Sequence, residues 1–337
     1  MKKVAVVILN WNGKKYLHKF LPSVLENNSS IAEIILADNA STDDSVSFVK
    51  KNYPTVTVIV NNKNGGFSQG YNDALKKVSA EYYVLLNSDV EVTANWINPI
   101  IDLMEKDKSI AACQPKILDY NNKSNFEYAG AAGGFIDSLG YPYCRGRIFN
   151  NIEQDTQQYN DVIDIFWATG ACMFVRSDIY HQLGGLDEDF FAHMEEIDLC
   201  WRMQNVGYRI IACPSSIVYH VGGGTLSKLN PQKTFLNFRN NLLLLSKNLP
   251  SNKLLPVLFY RMILDGVAAF KFLFTEGIGH FMAVIKAHFS FYTLLSSSLK
   301  KRKQFHFSER KNVYAKIKVN NLVWEYFAKK KKGFSEL

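Results

Sequence analysis

Three acidic residues lie within four positions in the second half of the sequence: Glu195, Glu196 and Asp198. They follow the aromatic pair Phe190-Phe191 and begin a segment with helical spacing. Acidic side chains favour the first turn of a helix because they interact with its dipole, so a structural role is one interpretation. Aromatic neighbours, however, partly desolvate a carboxylate and raise its pKa toward the range of a general base. The cluster therefore predicts an acid–base site at Glu195 or Glu196.

Two aspartates come directly after apolar segments, where a strand would end. Asp38 could accept hydrogen bonds from a nucleobase edge or from ribose hydroxyls, although an Asx turn or helix cap is the alternative. Its neighbours Ser41 and Thr42 could serve as caps instead. Asp89 is a candidate ligand for Mg²⁺ or Mn²⁺, which are often held by one or two carboxylates together with substrate phosphates. Glu91 lies two residues further on and is a second candidate ligand.

His220 is a further candidate metal ligand. It follows an apolar segment and precedes a run of three glycines, residues 222–224, and Thr225. Histidine commonly binds metals, and glycines allow backbone to approach phosphates closely. A histidine buried in the core is the alternative. Together with Asp89, His220 predicts contact with a metal or a diphosphate.

The elements that must position these residues are predicted from the apolar pattern. Continuous apolar segments at residues 4–9, 34–37, 55–60 and 82–86 are typical of buried strands, and segments with helical spacing separate them at 16–25, 45–49 and 68–78. This alternation predicts an α/β fold with a mostly parallel, Rossmann-like sheet that is covered by helices on both faces. In such sheets ligands bind beyond the carboxyl ends of the strands.

Polar residues and glycines follow each of the four predicted strands. Ordinary turn chemistry explains one such segment, but four in succession favour a shared binding crevice. The donor-binding candidates are Asn10, Asn12, Asp38, Asn64, Gly66 and Asn87. Further along, the pattern predicts strands at 110–117, 167–175, 208–212 and 216–219, and helices at 96–104, 177–183 and 195–206.

Five short motifs, taken in order, resemble family 2 glycosyltransferases, and most closely the rhamnosyltransferase-like members from bacteria. The resemblance covers about residues 4–225. The motifs are Val6 to Gly13, Asp38 to Asp43, Asn64 to Ser68, Leu85 to Asp89 and Glu195 to Cys200. It implies a GT-A fold over a domain of residues 1–227 and transfer of a sugar from a nucleoside diphosphate with inversion at the anomeric carbon.

The resemblance also implies roles for individual residues. Asp38 matches the aspartate that contacts the base, and Asp89 matches the last aspartate of a metal-binding D-x-D motif whose first position is Asn87 here. The pair Glu195-Glu196 matches an E-D pair whose second member is the usual catalytic base. The expected cofactor is Mg²⁺ or Mn²⁺, and the donor is a UDP- or dTDP-sugar. Three residues are expected to contact the sugar or the acceptor: Asp187, Glu188 and Trp167.

The cysteines and the N-terminus indicate the compartment. The five cysteines form no C-x-x-C pair and their number is odd, so free thiols in a reducing compartment are expected. The apolar segment at residues 4–9 is too short for a signal peptide. We therefore expect a cytoplasmic protein.

The C-terminal region differs in charge from the rest of the chain. Residues 228–337 contain 20 Lys and Arg against 5 Asp and Glu, a net charge of +15, whereas the whole chain carries +8. The longest segment without these four residue types is 287–299, shorter than the roughly 18–20 residues of a spanning helix. Basic, amphipathic helices indicate contact with an anionic membrane surface, with Phe270, Phe272, Phe274 and Phe281 inserted. A helical subdomain packed on the rest of the chain is the alternative.

The expected function is therefore transfer of a sugar to a glycan or lipid-linked acceptor in cell-envelope polysaccharide synthesis, at the inner face of the cell membrane. A sugar-phosphate nucleotidyltransferase is the main alternative, but it normally has a glycine-rich basic loop near the first strand. A non-catalytic nucleotide-sugar-binding scaffold is a second alternative, against which the acidic cluster argues. A glycosidase also uses two carboxylates but does not need a nucleotide crevice. Nucleic acid is not an expected partner because no nucleic-acid motif accompanies the basic segments.

Overall fold

The computed structural model describes residues 2–222, 230–304 and 313–337. A nine-stranded sheet forms its centre, and the four strands expected near the N-terminus are all present. The four strands are β1 (Val4–Asn10), β2 (Ala32–Asp38), β3 (Thr57–Val60) and β4 (Tyr82–Asn87). β1 pairs in parallel with β2 and with β4, and β2 pairs in parallel with β3. The prediction of a mostly parallel sheet is confirmed for this part of the chain.

Helices α1 (Lys14–Glu26), α2 (Ser45–Asn52) and α3 (Gly66–Leu75) connect these strands and cover both faces of the sheet. Alternate residues of β1 belong to different apolar clusters. Val6 shares a cluster with Leu17 of α1, whereas Val7 shares one with Tyr71 of α3. Because both faces are buried, the strands have continuous apolar sequences rather than alternating ones.

The rest of the sheet forms later in the chain, and a second, four-stranded antiparallel sheet lies beside it. The large sheet gains β5 (Val90–Val92), β6 (Ile110–Asp119), β11 (Ile163–Asp164), β12 (Cys172–Arg176) and β13 (Arg209–His220). The small sheet contains β7 (Gly134–Ile136), β8 (Pro142–Cys144), β9 (Arg147–Ile148) and β10 (Asn151–Ile152). No regular sequence pattern indicates the small sheet because its strands are only two or three residues long.

The strand order of the large sheet is β11-β13-β6-β12-β4-β1-β2-β3, with β5 paired to β13. β12 is antiparallel to both of its neighbours, β4 and β6, and β13 is parallel to β6. β1 to β4, β6 and β13 therefore all run in one direction. Their carboxyl ends meet at the same edge of the sheet, which we call the carboxyl edge.

Two strand predictions need correction. The strand expected at 167–175 begins only at Cys172, and the residues before it form a turn. The two strands expected at 208–212 and 216–219 are one strand, β13, whose pairing with β6 is interrupted by a bulge between Cys213 and Ile217. The residues inside the bulge have no ladder partner, which explains why the apolar pattern is broken there.

In the described part of the chain six more helices follow α3, and three of them belong to the basic C-terminal region. They are α4 (Asn98–Lys106), α5 (Ser177–Gln182), α6 (Glu195–Asn205), α7 (Pro231–Asn248), α8 (Ser251–Thr275) and α9 (Ile278–Gln304). α4 precedes the strands of the small sheet in the chain. Leu242 to Leu245 of α7 are buried in the same apolar cluster as β1 and α6. The C-terminal helices thus share the core of the sheet. The domain boundary expected between 227 and 228 lies outside the described residues.

The last described segment, residues 313–337, packs on the small sheet. The backbone N–H of Leu322 donates to the carboxylate of Asp137 at 2.8 Å, and Phe334 contacts the rings of Phe135 and Tyr143. Within residues 2–222, 230–304 and 313–337, no helix combines the length and the apolar character needed to cross a membrane.

Candidate active site

The ends of β1 and β2 place Asn10 beside Asp38 at the carboxyl edge. Asn10 Nδ2 donates to Asp38 Oδ1 at 2.8 Å, and Ser41 donates to Asp38 through its backbone N–H at 2.9 Å and its hydroxyl at 2.6 Å. Asp38 therefore forms the Asx-type turn that the sequence left open as the alternative. Asn10 Oδ1 is buried without a hydrogen-bond partner among the described residues. This oxygen and the remaining lone pairs of Asp38 are the acceptors available to a ligand here.

Asn12 fixes the loop that follows β2. Its Oδ1 accepts from the backbone N–H of Thr42 at 2.7 Å and of Asp43 at 3.2 Å, and its φ is 50°. Asn12 is exposed, as is about half of the neighbouring Trp11 (48%). The side chain of Asn12 thus shapes the crevice rather than pointing freely into it.

Asn64 and Gly66 shape the loop between β3 and α3. Asn64 Oδ1 accepts from the backbone N–H of Gly66 and from Asn39 Nδ2, both at 3.0 Å. Gly66 has a φ of +78°, and a Cβ there would lie 2.5 Å from the carbonyl oxygen of Phe191. Only glycine combines that conformation with so close an approach. Asn39, which sequence reasoning did not select, also donates to the Gly66 carbonyl at 2.9 Å.

The first amides of α3 bind the segment that leads into α6. The backbone N–H groups of Phe67 and Ser68 donate to the Phe191 carbonyl at 2.7 and 3.2 Å. Such amides at a helix start otherwise lack partners and attract negative charge. The carbonyl of Phe191 therefore joins the donor-side loop to the segment that carries the acidic cluster.

Asp89 and His220 lie together at the carboxyl edge. His220 Nε2 is 3.1 Å from Asp89 Oδ1 and 3.4 Å from Asn87 Nδ2, and His220 Nδ1 is 3.4 Å from Glu127 Oε1. Burial alone would lower the pKa of His220, but the carboxylates of Glu127 and Asp89 raise it to about 10. Glu127 is buried and was missed from the sequence, because no local pattern links it to the distant His220.

The donor set at this point fits a divalent cation. One carboxylate and one imidazole suit Mn²⁺ when phosphate oxygens supply the remaining ligands. Among the described residues, no group of three or more His, Cys, Asp or Glu side chains is arranged to hold a metal ion. Glu91 is not part of the pair, since it forms an ion pair with Lys123. The glycine run beyond Gly222 lies outside the described residues.

The first turn of α6 contains two glutamates that each have one carboxyl oxygen without a hydrogen-bond partner. Glu195 is buried, and its Oε2 has no partner among the described residues; the same holds for Oε2 of the partly buried Glu196. Burial raises the pKa of Glu196 to about 7. Burial and the adjacent charge of Glu196 raise the pKa of Glu195 well above its usual range. Of the two glutamates, Glu196 is the one whose pKa lies near neutral pH.

Glu196 and Glu127 both influence the Cys144 thiol in β8. Besides burial, the negative charges of these two glutamates raise the pKa of this thiol, whereas Arg147 lowers it. Glu127 Oε1 also lies 3.4 Å from His220 Nδ1.

Asp198, the third member of the acidic cluster, is structural. It is fully buried and accepts from Arg202 Nε at 2.8 Å, Lys247 Nζ at 2.8 Å and Asn248 Nδ2 at 2.7 Å. Two of these partners come from α7. Glu195 and Glu196 thus each keep a carboxyl oxygen without a partner, whereas Asp198 anchors the helix.

The three residues expected to contact sugar or acceptor have other surroundings. Asp187 is buried between Lys247 and Lys301, whose charges hold its pKa below the usual range despite its burial. Trp167 is buried, and its indole N–H donates to the Phe135 carbonyl at 2.8 Å. These two side chains already have partners within the protein, and their expected contact with sugar or acceptor stays a prediction. Glu188 is exposed, with Oε1 3.2 Å from Asn72 Nδ2.

The chain belongs to the glycosyl transferase family 2, whose model matches residues 5–184. It is therefore a glycosyltransferase, and the nucleotidyltransferase alternative is set aside. Among its relatives is the N-acetylglucosaminyl-diphospho-decaprenol L-rhamnosyltransferase of Mycobacterium tuberculosis, 24% identical over 64% of this chain and 75% of that protein. Another is the low-salt glycan biosynthesis hexosyltransferase Agl10 of Haloferax volcanii, 22% identical over 71% of this chain and 74% of that protein.

Solved structures of glycosyltransferases have the same fold, which confirms the expected GT-A architecture. GalNAc-T7 with UDP, GalNAc and Mn²⁺ aligns with a TM-score of 0.58 and 18% identity over 73% of this chain, but over only 48% of that protein. TarS 1-349 of S. aureus aligns with a TM-score of 0.57 and 14% identity over 91% of this chain and 89% of that one.

Glu196→Gln should stabilise the protein in a pH-dependent way. The folded-state pKa of about 7 lies above the ordinary value of 4.5, so folding favours the protonated form. Wild-type stability is therefore full at low pH and falls as the pH rises toward 7, whereas glutamine carries no charge to bury. We expect a higher melting temperature than wild type at pH 8 and an equal one near pH 4.5. The exposed Glu81→Gln variant is the control, and an equal effect of both substitutions at pH 8 would contradict the enclosed state of Glu196.

Proposed function

We propose that this glycosyltransferase is inverting and metal-dependent, and that it moves a sugar from a pyrimidine nucleoside diphosphate to a hydroxyl of a lipid-linked glycan. The observation that carries the proposal is the pair of glutamates at the start of α6, each with a carboxyl oxygen that lacks a partner among the described residues, together with the Asp89–His220 pair at the carboxyl edge. One group exchanges protons near neutral pH, as a general base must.

On this proposal the donor lies along the carboxyl edge. Asn10 Oδ1 and Asp38 accept hydrogen bonds from the base or ribose at the ends of β1 and β2, while the diphosphate extends toward Asp89. Bound UDP in GalNAc-T7 supports a nucleoside diphosphate donor, and a mannosyltransferase of Pyrobaculum calidifontis with the same fold (TM-score 0.51) binds GDP-Man and Mn²⁺. Asp89 and His220 would hold the ion, with His220 deprotonated. When bound, the ion neutralises charge on the departing diphosphate.

Glu196 would supply the proton chemistry. Its carboxylate takes the proton of an acceptor hydroxyl while that oxygen forms a bond to the anomeric carbon and the bond to the diphosphate breaks on the opposite face. Inversion follows from this single displacement. Burial and the adjacent charge of Glu196 raise the pKa of Glu195 well above its usual range, which makes Glu196 the better candidate for the base.

The acceptor proposal rests on the mycobacterial relative and on the surface of α8. That relative acts, by its name, on a sugar linked to diphospho-decaprenol. An acceptor of this kind lies at a membrane. α8 exposes one apolar side chain every three or four residues along one face, and α9 continues this surface. The exposed residues are Leu255, Phe259, Ile263, Val267, Phe270, Phe274, Ile278, Met282, Phe289 and Tyr292.

We call these ten residues the α8–α9 face and propose that it docks on an anionic membrane. Lys271 and Lys286 are exposed beside it, and the stretch from Lys329 to Lys332 adds basic charge. Apolar insertion with basic flanks is typical of helices that lie in the membrane interface. Of the four phenylalanines expected to insert, Phe270 and Phe274 are exposed, whereas Phe272 packs against Phe238 and Phe281 is partly buried.

Asp89→Ala should abolish the metal-dependent part of donor binding. Calorimetric titration of UDP, dTDP and GDP, with and without Mn²⁺, tests the donor class and the metal together. We expect wild type to bind a pyrimidine diphosphate more tightly with Mn²⁺, and the variant to show no such enhancement while its melting temperature is retained. Glu91→Ala is the matched control because its carboxylate is paired with Lys123 instead. Enhancement by Mn²⁺ that survives Asp89→Ala would exclude Asp89 as a ligand.

The double variant Ile263→Asp/Phe270→Asp should lose membrane binding. Flotation with phosphatidylcholine vesicles, with and without phosphatidylglycerol, measures the effect at low and high salt. Wild type should float with anionic vesicles and partly resist salt, because apolar contacts are not screened. Val162→Asp, at an exposed apolar position away from the C-terminal helices, is the control and should float normally. Wild type that does not float at low salt would refute the docking proposal.

A further inference from the structure

We propose that α7 forms part of the active site, with Asn240 as the positioning residue that holds the loop of residues 187–194 and thereby aims Glu195 and Glu196 at the crevice. The inference rests on the proposed role of these glutamates. It assigns a catalytic contribution to the C-terminal region, which lies outside the part of the chain matched by the family model, residues 5–184.

The 187–194 loop has a strained backbone directly before the glutamates. Phe191, His193 and Met194 have φ values of 64°, 71° and 74°. Residues other than glycine rarely adopt this left-handed conformation, and they keep it only where the surrounding structure enforces it. Some neighbouring element must therefore hold the loop.

Asn240 of α7 supplies that restraint. Its Nδ2 lies within hydrogen-bond distance of three successive parts of the loop, the carbonyl oxygens of Phe190 at 2.9 Å, Ala192 at 2.8 Å and His193 at 2.7 Å. Asn240 is completely buried. Arg239 Nε donates to Asn240 Oδ1 at 2.9 Å, so the amide is oriented with its NH₂ group toward the loop.

The loop is held from the opposite side as well. The amides of Phe67 and Ser68 bind the Phe191 carbonyl, so the loop lies between the start of α3 and α7. Further along α7, Lys247 donates to Asp187 at 2.7 Å and to Asp198 at 2.8 Å, which anchors both ends of the segment that contains the glutamates. The beginning of α6 thus cannot shift without breaking contacts to α7.

This restraint matters for catalysis because hydrogen bonds hold only part of each glutamate carboxyl group. The Oε2 atoms of Glu195 and Glu196 have no hydrogen-bond partner among the described residues. Their position therefore depends on the backbone that carries them. A small displacement of a catalytic group is enough to reduce the rate strongly, even when substrate binding is retained.

Asn240→Asp tests the inference with minimal change in shape. The aspartate keeps the oxygen that accepts from Arg239 but replaces the NH₂ donor by an oxygen facing three carbonyls. We expect unchanged affinity for UDP and unchanged KM for the donor, but a kcat lower by roughly tenfold or more. The matched control is Asn241→Asp. Asn241 is equally buried and adjacent, yet it bonds Gly140 and Arg261, away from the loop.

Hydrogen exchange of the amides of residues 190–196 provides a readout that needs no activity. Exchange should accelerate in Asn240→Asp and not in Asn241→Asp. If wild type transfers no sugar, the proposed function fails, and the exchange experiment alone still decides whether Asn240 holds the loop. Equal loss of kcat in the two variants, or equal exchange in this segment, overturns the inference.

A milder variant covers the case in which Asn240→Asp does not fold. Arg239→Gln keeps the Asn240 side chain but removes the hydrogen bond that orients its amide. It also removes those from Arg239 Nη2 to the carbonyls of Asp189 and Phe190, at 3.1 and 2.9 Å. We expect a smaller fall in kcat with the KM for the donor unchanged. A kcat equal to that of wild type would count against α7 as a positioning element.

Discussion

Two glutamates at the start of α6, each with a buried carboxyl oxygen that has no partner among the described residues, impose the main constraint on this structure. Burying such groups is unfavourable, and they would form hydrogen bonds or turn to solvent if the chain allowed it. The chain prevents this by anchoring α6 elsewhere. Asp198 accepts hydrogen bonds from Arg202 of α6 and Lys247 of α7. The Phe191 carbonyl accepts hydrogen bonds from the first amides of α3. The hydrogen bonds of these anchors offset the free-energy cost of burying the two glutamates.

The direction of the strands explains why the other functional groups gather beside them. β12 runs against its neighbours, so that β13 ends at the same edge as β1, β2 and β4. His220 thereby meets Asp89, although the two residues are far apart in sequence. The C-terminal helices complete this arrangement, since α7 contributes to the core of the sheet and to the support of α6, while α8 and α9 expose an apolar surface.

The sequence allowed prediction of those features that follow from local pattern. β1, β2 and β4 were predictable because burial on both faces demands continuous apolar residues, as in Val4 to Leu9. β3 is a partly exposed edge strand, predictable from its β-branched residues. Features that depend on distant partners were not predictable. Asp187 resembles a sugar ligand in sequence, but it forms ion pairs with lysines from α7 and α9. Glu127 could not be recognised as a site residue from the sequence, because its partner His220 is on the distant strand β13. Trp167 was expected in a strand near the ligand, whereas it fills the core against Gly134.

The central claim is that Glu196, rather than Glu195, removes the proton from the acceptor. It is tested most directly by the rate of nucleoside diphosphate release from the UDP- or dTDP-sugar, with lipid-linked N-acetylglucosamine as acceptor, in Glu196→Gln and Glu195→Gln. We expect Glu196→Gln to bind the donor normally and to lose transfer by roughly 10²-fold or more, the range for removal of a general base. Near-normal transfer by Glu196→Gln, with the loss found in Glu195→Gln instead, would contradict the account.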